Sequence, residues 1–249
     1  MCDIHTSMNK TILITGASAR IGRVLATGLA EDGWSVVIHY NTSKRAAAEL
    51  ANGLGDAAIV QADLTDPESV DTLIYRASQA IGAPLGALIN NASTYQPDKA
   101  DDFSSDIFDN HMAVNLKAPL RLGQHFSRQV PRDSLDDKTA CIINMIDQRV
   151  LRPAPGFFTY GVSKSALFAA TKTMAQSFAP NIRVNAVGPG PTLRSIHQDA
   201  AGFAQEAAQT LLGKGSPPET ILDAVRYLLS ATAVTGQMIA VDGGQHLGV

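Results

Sequence analysis

Thr11-Ile12-Leu13-Ile14-Thr15-Gly16-Ala17-Ser18-Ala19-Arg20-Ile21-Gly22 joins two patterns of different period. Thr11–Thr15 is apolar and β-branched and stops at Gly16, which predicts a short buried strand. From Arg20 to about Asp32 the apolar residues Ile21, Val24, Leu25 and Leu29 recur at helical spacing, and Gly33 ends the run. Glycines between the two elements permit a tight turn and a close approach of backbone to ligand. The helix that starts there offers free N–H groups and the positive end of its dipole to a phosphate. A glycine pair also occurs in ordinary tight turns. Its place directly after an N-terminal strand is what points to a dinucleotide.

The same alternation continues to the C-terminus. Ser35–Tyr40, Ala57–Gln61, Leu85–Asn90, Ala140–Ile146, Ile182–Val187 and Met238–Val241 read as strands. Ser43–Leu54, Pro67 to about Ile81, Met112–Val130, Tyr160–Phe178 and Pro218–Leu229 read as helices, with Asp66 or Thr65 as the N-cap before Pro67. Strands and helices that alternate through short links predict a single-domain α/β fold. Its core is a doubly wound parallel sheet of the Rossmann type, covered by helices on both faces. The least regular stretch, Pro191 to Pro218, follows the sixth strand. Ligands of such folds bind beyond the carboxyl ends of the strands, so this excursion is a candidate substrate lid. Met1–Lys10 is polar, lacks the apolar core of a signal peptide and reads as a flexible leader, with Met8 as an alternative start. Residues 11–249 are expected to form the single Rossmann-type domain.

Composition narrows the partners. The chain has 249 residues, 45% hydrophobic and 17% charged, enough for a sizeable core. A net charge of -3 without a basic block makes nucleic acid and anionic membrane surfaces poor partners. No run is long and apolar enough to span a bilayer. Cys2 and Cys141 lie far apart, one in the leader and one in a strand, which suggests reduced thiols and a cytoplasmic location. The six histidines show no metal-ligand spacing, so no metal is expected.

Several ordered motifs then coincide: Thr15–Gly22, Asn90-Asn91-Ala92-Ser93, Asn115, Tyr160-Gly161-Val162-Ser163-Lys164, Pro189-Gly190 and Val241-Asp242-Gly243-Gly244. From Thr11 to about Gly244 the chain resembles the short-chain dehydrogenase/reductase family. It departs from the general pattern twice. Arg20 stands at the middle glycine of the turn, and Asp147 stands where a serine is expected thirteen residues before Tyr160. Both departures resemble the pteridine reductase branch, as do His39-Tyr40-Asn41-Thr42-Ser43, Asn91-Ala92-Ser93-Thr94-Tyr95 and Ile142-Ile143-Asn144-Met145-Ile146-Asp147. The resemblance implies a homotetramer built through helices flanking the sheet. It also implies that Lys164 holds the nicotinamide ribose and that Asn115 orders a water near that lysine. Asn91, Ala92, Pro189 and Gly190 would border the cofactor. Ser93 and Tyr95 would border the substrate, with Tyr95 stacked against it. A loop aromatic is otherwise more often packing, and Asn115 otherwise a buried polar group.

The residues carry their own chemistry. Tyr160 and Lys164 are four apart on one helical face. A phenol with a pKa of about 10 is a reluctant acid, and a nearby ammonium is expected to lower that value. The pair then serves as proton donor in a reduction. Asp147, as an ionised carboxylate, only accepts hydrogen bonds. It repels a ketone oxygen and suits a ring that presents N–H donors, as a pterin does. Read blandly, Asp147 caps a loop. Cofactor choice follows from the end of the second strand. An acid about 20 residues beyond the turn would hold the ribose hydroxyls of NAD. None stands at 39–43, so Arg20, Ser43 and His39 are candidates for a 2′-phosphate and NADPH is the expected cofactor. Tyr40 belongs to the same segment, and Ser43 is also a plausible N-cap. Gly16, Ser18, Ile21 and Gly22 form the phosphate turn. Asp63-Leu64 resembles the adenine-contacting pair, although Asp63 also suits a helix cap.

The expected function is NADPH-dependent reduction of a pteridine C=N bond. Two alternatives remain: a carbonyl reductase of the same fold, against which Asp147 argues, and a non-catalytic NADP(H) sensor, against which Tyr160 and Lys164 argue.

Overall fold

Each residue of β1 (Thr11–Ile14) is buried, and its side chains point alternately into two separate cores. The computed structural model describes residues 10–130, 140–195 and 197–248. The leader apart from Lys10, with Met8 and Cys2, lies outside the described residues. The further strands are β2 (Ser35–Tyr40), β3 (Ala57–Gln61), β4 (Ala87–Asn90), β5 (Ala140–Met145), β6 (Ile182–Pro189) and β7 (Met238–Val241). Among the described residues they make one parallel sheet in the order β3-β2-β1-β4-β5-β6-β7.

Period-2 alternation assigns the faces. Ile12 and Ile14 join Val36, Ile38, Ile89 and Ile143 under α1 (Arg20–Glu31), α2 (Lys44–Leu54) and α8 (Pro218–Ser230). Leu13 joins Val37, Leu88 and Ile142 under α3 (Pro67–Ile81) and, further along the chain, the helices Ala118–Gln129 and Phe158–Phe178. A sheet buried on both faces explains why its strands read as continuous apolar runs. α3 starts as expected: Pro67 occupies its first turn, and the Asp66 carboxylate accepts from Glu68 N at 3.3 Å and Ser69 N at 3.0 Å.

The structure redraws one helix. In place of a single element over Met112–Val130, α4 (Ser105–Met112) starts seven residues earlier, capped by Ser104 Oγ accepting from Ile107 N at 3.2 Å. It runs through a π-helical turn, Ala113–Lys117, into α5 (Ala118–Gln129). Ser-Asp-Ile-Phe-Asp-Asn-His-Met is too polar to show an apolar stripe, and His111 is its only buried residue. α6 (Phe158–Phe178) starts two residues before Tyr160, β6 extends to Pro189, and the excursion after β6 contains α7 (Ala200–Ala208). Because β1 pairs with both β2 and β4, strand order reverses there and opens a crevice at the carboxyl ends. Thr15, Asn91, Asp147 and Gly190 follow β1, β4, β5 and β6 at that edge.

Candidate active site

A cavity of about 580 Å³ lies over this edge. Its wall begins at the glycine turn. Gly16 adopts a left-handed φ of 64°. A Cβ at Gly22 would come within 2.4 Å of Gly16 O and 2.6 Å of the Asn91 side-chain nitrogen, so this position has room for hydrogen alone. Asn91 clamps the turn by donating to Thr15 O at 2.8 Å, while Thr15 Oγ1 accepts from Asn91 N and Ala92 N. No side chain caps the start of α1. Its first-turn N–H groups therefore face the cavity beside Ala19, Arg20, Ile21 and Gly22, and this suits the diphosphate of a dinucleotide.

Arg20 is placed differently from a free phosphate ligand. It sits at φ 53°, and its guanidinium donates to Leu193 O and Arg194 O, both at 3.1 Å. It thus ties the turn to the excursion that follows β6.

One expected 2′-phosphate contact, His39, and one further residue of the expected cofactor set, Tyr40, need correction. His39 is buried and both its ring nitrogens are engaged. Nδ1 accepts from Gly16 N at 3.0 Å, and Nε2 meets Ala62 O at 3.1 Å. Burial lowers its pKa to about 4, so it is a neutral strut under the turn and supplies no cation. The Tyr40 ring lies in the apolar core. Ser43 does occupy the N-cap position of α2, but its side chain makes no capping bond and stays exposed. Asp63 Oδ1 accepts from Thr65 N and Thr65 Oγ1, and Leu64 is buried. Ser18 is buried within the turn. Of the expected cofactor set, Gly16, Arg20, Ile21, Gly22, Asn91, Ala92, Lys164, Pro189 and Gly190 line the cavity.

The reacting groups converge at its base. Tyr160 Oη donates to Asp147 Oδ2 at 2.8 Å, and Asp147 Oδ1 accepts from Arg149 N at 2.8 Å. The carboxylate therefore caps the short 3-10 turn Gln148–Val150 with one oxygen and holds the phenol with the other. Burial pushes the Asp147 carboxyl above its ordinary range, against the pull of Arg149 and Tyr160. The expected acidification of Tyr160 is overturned. Burial, then the facing Asp147, raises the phenol well above its usual value. Lys164 Nζ stands 5.7 Å from the ring centroid and donates to Met145 O at 2.9 Å. Burial lowers its pKa to about 8.

Asn115 is fully buried in the π-helical turn, which re-aims its side chain out of the helical register. Its amide accepts from Ser93 Oγ and Thr94 N and donates to Thr94 O and Ser163 Oγ. These bonds make the Asn115 side chain a clamp between the Ser93–Thr94 loop and α6.

Several lining residues escaped the sequence reading. The Tyr95 ring is parallel to Phe157 at 4.0 Å and edge-on to Tyr160 at 4.8 Å. Arg149 lies 5.0 Å from the Phe157 centroid. Gln148, His197, Phe203, Glu206 and Gln245 complete the far wall. Below it, Asp98 accepts from Thr159 N at 3.1 Å and His111 meets Thr159 Oγ1 at 2.7 Å, which holds the first turn of α6 next to Tyr160. Arg149, Phe157, Gln148, His197, Phe203, Glu206, Gln245, Asp98 and His111 gave no signal in the sequence, because they come together from distant segments. Among the described residues no cluster of three or more metal-ligating side chains occurs, and no helix is long and apolar enough to cross a membrane.

Comparison with known proteins completes the description. The family model described as Enoyl-(Acyl carrier protein) reductase matches residues 16–246. The uncharacterized oxidoreductase YmfI of Bacillus subtilis is 32% identical over 249 residues, which cover 96% of this chain and 100% of its own. Dihydromonapterin reductase of Escherichia coli strain SMS-3-5 is 31% identical over 237 residues, 95% of this chain and 96% of its own. The crystal structure of FolM alternative dihydrofolate reductase 1 from Brucella canis, complexed with NADP, superposes with a TM-score of 0.89 at 39% identity, covering 97% of both chains.

Proposed function

The chain belongs to the short-chain dehydrogenase/reductase family, and from that premise we propose that it is an NADPH-dependent reductase of the C=N bond of a dihydropterin, giving a tetrahydropterin. The observation that carries the substrate class is the hydrogen bond from Tyr160 to Asp147. A ketone needs donors at its oxygen, yet here a carboxylate occupies that register and accepts the phenol's hydrogen bond. A pterin ring supplies N–H and amino donors to the carboxylate and a nitrogen that must gain a proton. The names of two relatives, dihydromonapterin reductase and alternative dihydrofolate reductase, agree with this reading.

NADPH supplies the hydride. The uncapped start of α1, Asn91, Ala92, Pro189 and Gly190 would border it. Lys164 would hold its ribose as a cation below pH about 8. Arg20 and the exposed Ser43 would meet the 2′-phosphate. Tyr160, kept protonated by burial and by Asp147, donates its proton to the ring nitrogen. Asp147 keeps the phenol aimed and accepts from the ring's N–H groups. Tyr95 and Ser93 border the substrate, and the 191–218 excursion acts as its lid. The reading extends to a cytoplasmic homotetramer, which light scattering and cell fractionation test.

The functional test is NADPH oxidation with dihydropterins, dihydrofolate, quinonoid pterins and simple ketones side by side. Preference for dihydropterins is expected. A preference for ketones moves the chain to carbonyl reduction, and no oxidation with any substrate leaves an NADP(H) sensor.

A further inference from the structure

The far wall of the cavity carries an arrangement that reduction itself does not use. Glu206, on α7, lines the cavity, and both its oxygens act as acceptors. Oε2 accepts from Gln198 Nε2 at 2.9 Å, and Oε1 accepts from Gln245 Nε2 at 3.0 Å. The Gln245 carbonyl oxygen is buried and has no donor among the described residues. The same holds for Gln148 Oε1, on a residue only 6% exposed that also lines the cavity. An orphaned buried acceptor is costly, and the terminal torsion of a glutamine is soft enough to turn toward a donor. The wall thus offers two side-chain amide oxygens without donors beside one carboxylate that keeps lone pairs free for more.

The basic side chains nearby are already engaged, Arg152 by donating to Gln245 O at 3.0 Å. Arg149 lies over the Phe157 and Tyr95 rings and faces Asp147. His197 Nε2 meets Tyr95 O at 3.2 Å. Arg20 is tied to Leu193 and Arg194 at the cofactor end. The field of Glu206 reaches as far as the Tyr95 hydroxyl, whose pKa is pushed up to about 12 by burial, with Arg149 pulling it down and Asp147 and Glu206 pushing it up.

We propose that Glu206, clasped by Gln198 and Gln245, determines specificity for the substrate's side chain. It favours a dihydropterin with a neutral, polyhydroxylated side chain and disfavours one with a carboxylated tail. Hydroxyl groups donate to the orphaned carbonyls, whereas a carboxylate brings more acceptors and a like charge. This inference rests on the pterin reading and sharpens it.

The test compares kcat/KM for dihydroneopterin, whose side chain is a triol, with that for dihydrofolate, in wild type and in Glu206→Gln. A 6-methyldihydropterin serves as a third substrate without either tail. Wild type should prefer dihydroneopterin. Glu206→Gln should shrink that preference about tenfold, mainly through a lower KM for dihydrofolate. Raising ionic strength should lower the wild-type KM for dihydrofolate and leave that of dihydroneopterin nearly still, a readout that does not depend on the variant's folding. If 6-methyldihydropterin is reduced but the preference and the salt effect are both missing, the role of Glu206 is overturned and the pterin reading stands. If no pterin is reduced, both fall.

Discussion

Replacing Asp147 by serine isolates the group on which the substrate assignment turns. In the structure one carboxylate oxygen accepts from Arg149 N at 2.8 Å and the other from Tyr160 Oη at 2.8 Å. Serine is itself a good N-cap, so the capping bond survives at a cost of a few tenths of a kcal/mol or less. The bond to the phenol and the acceptor for a pterin N–H are both lost. Each hydrogen bond to a charged group contributes about 1.5–3 kcal/mol, and each 1.36 kcal/mol is tenfold in rate. The two are coupled through one carboxylate and do not add fully. The expected loss in kcat/KM for a dihydropterin is therefore about 10²- to 10³-fold. A restored donor should at the same time raise a trace of ketone reduction. Losing the facing carboxylate also lets the Tyr160 pKa fall back toward its ordinary value, which moves the alkaline limb of the pH–rate profile down. The assay is NADPH oxidation across pH with both substrate types, with thermal unfolding to confirm the fold. A dihydropterin kcat/KM within about threefold of wild type would refute the reasoning.

Further outcomes are expected. Arg20→Ala should remove most of the preference for NADPH over NADH while sparing NADH; because Arg20 must first leave two carbonyls, the preference itself should lie near tenfold, at the low end for a charge-assisted contact, and equal dissociation constants in wild type would sink it. His39 has a folded pKa of about 4 against an ordinary 6.5, so the unfolded chain binds the extra proton; stability is complete above pH 6.5 and is lost as pH falls toward 4, by about 3 kcal/mol. Urea midpoints measured over that window should slope in wild type and flatten in His39→Gln. Lys164, lowered to about 8, should lose its charge as pH rises through that value, and NADPH affinity measured by nucleotide fluorescence should weaken above it. An affinity that stays flat well beyond that pH contradicts the assignment of the lysine to the ribose.

Which features were legible follows from how local each is. The turn Thr15–Gly22, the Tyr160–Lys164 spacing and the Asp66–Pro67 helix start are short-range patterns, and the sequence displays them directly. Asp147 was legible because its register to Tyr160 is fixed by chain order. The true place of His39 was not, because it depends on β2 pairing with β3 and bringing Ala62 alongside. The raised pKa of Tyr160 was misread for a similar reason: proximity of Lys164 in sequence said nothing about burial or about the carboxylate facing the phenol. The clamp at Asn115 needs a π-helical turn that no apolar period announces. Glu206, Gln198 and Gln245 meet only because α7 folds back toward the C-terminal segment.

Arg20 holds one further consequence, in its backbone. A non-glycine residue at a left-handed φ of 53° stores about 1–3 kcal/mol of strain. Glycine would release that strain, against about 0.5–1 kcal/mol for its greater freedom in the unfolded chain and the loss of two exposed bonds to Leu193 O and Arg194 O that a bound 2′-phosphate would displace in any case. Stability and cofactor choice therefore pull in opposite directions at one residue. A directed-evolution screen scored on heat resistance alone should enrich Arg20→Gly, and its winners should be sturdier proteins that discriminate less between the two nicotinamide coenzymes.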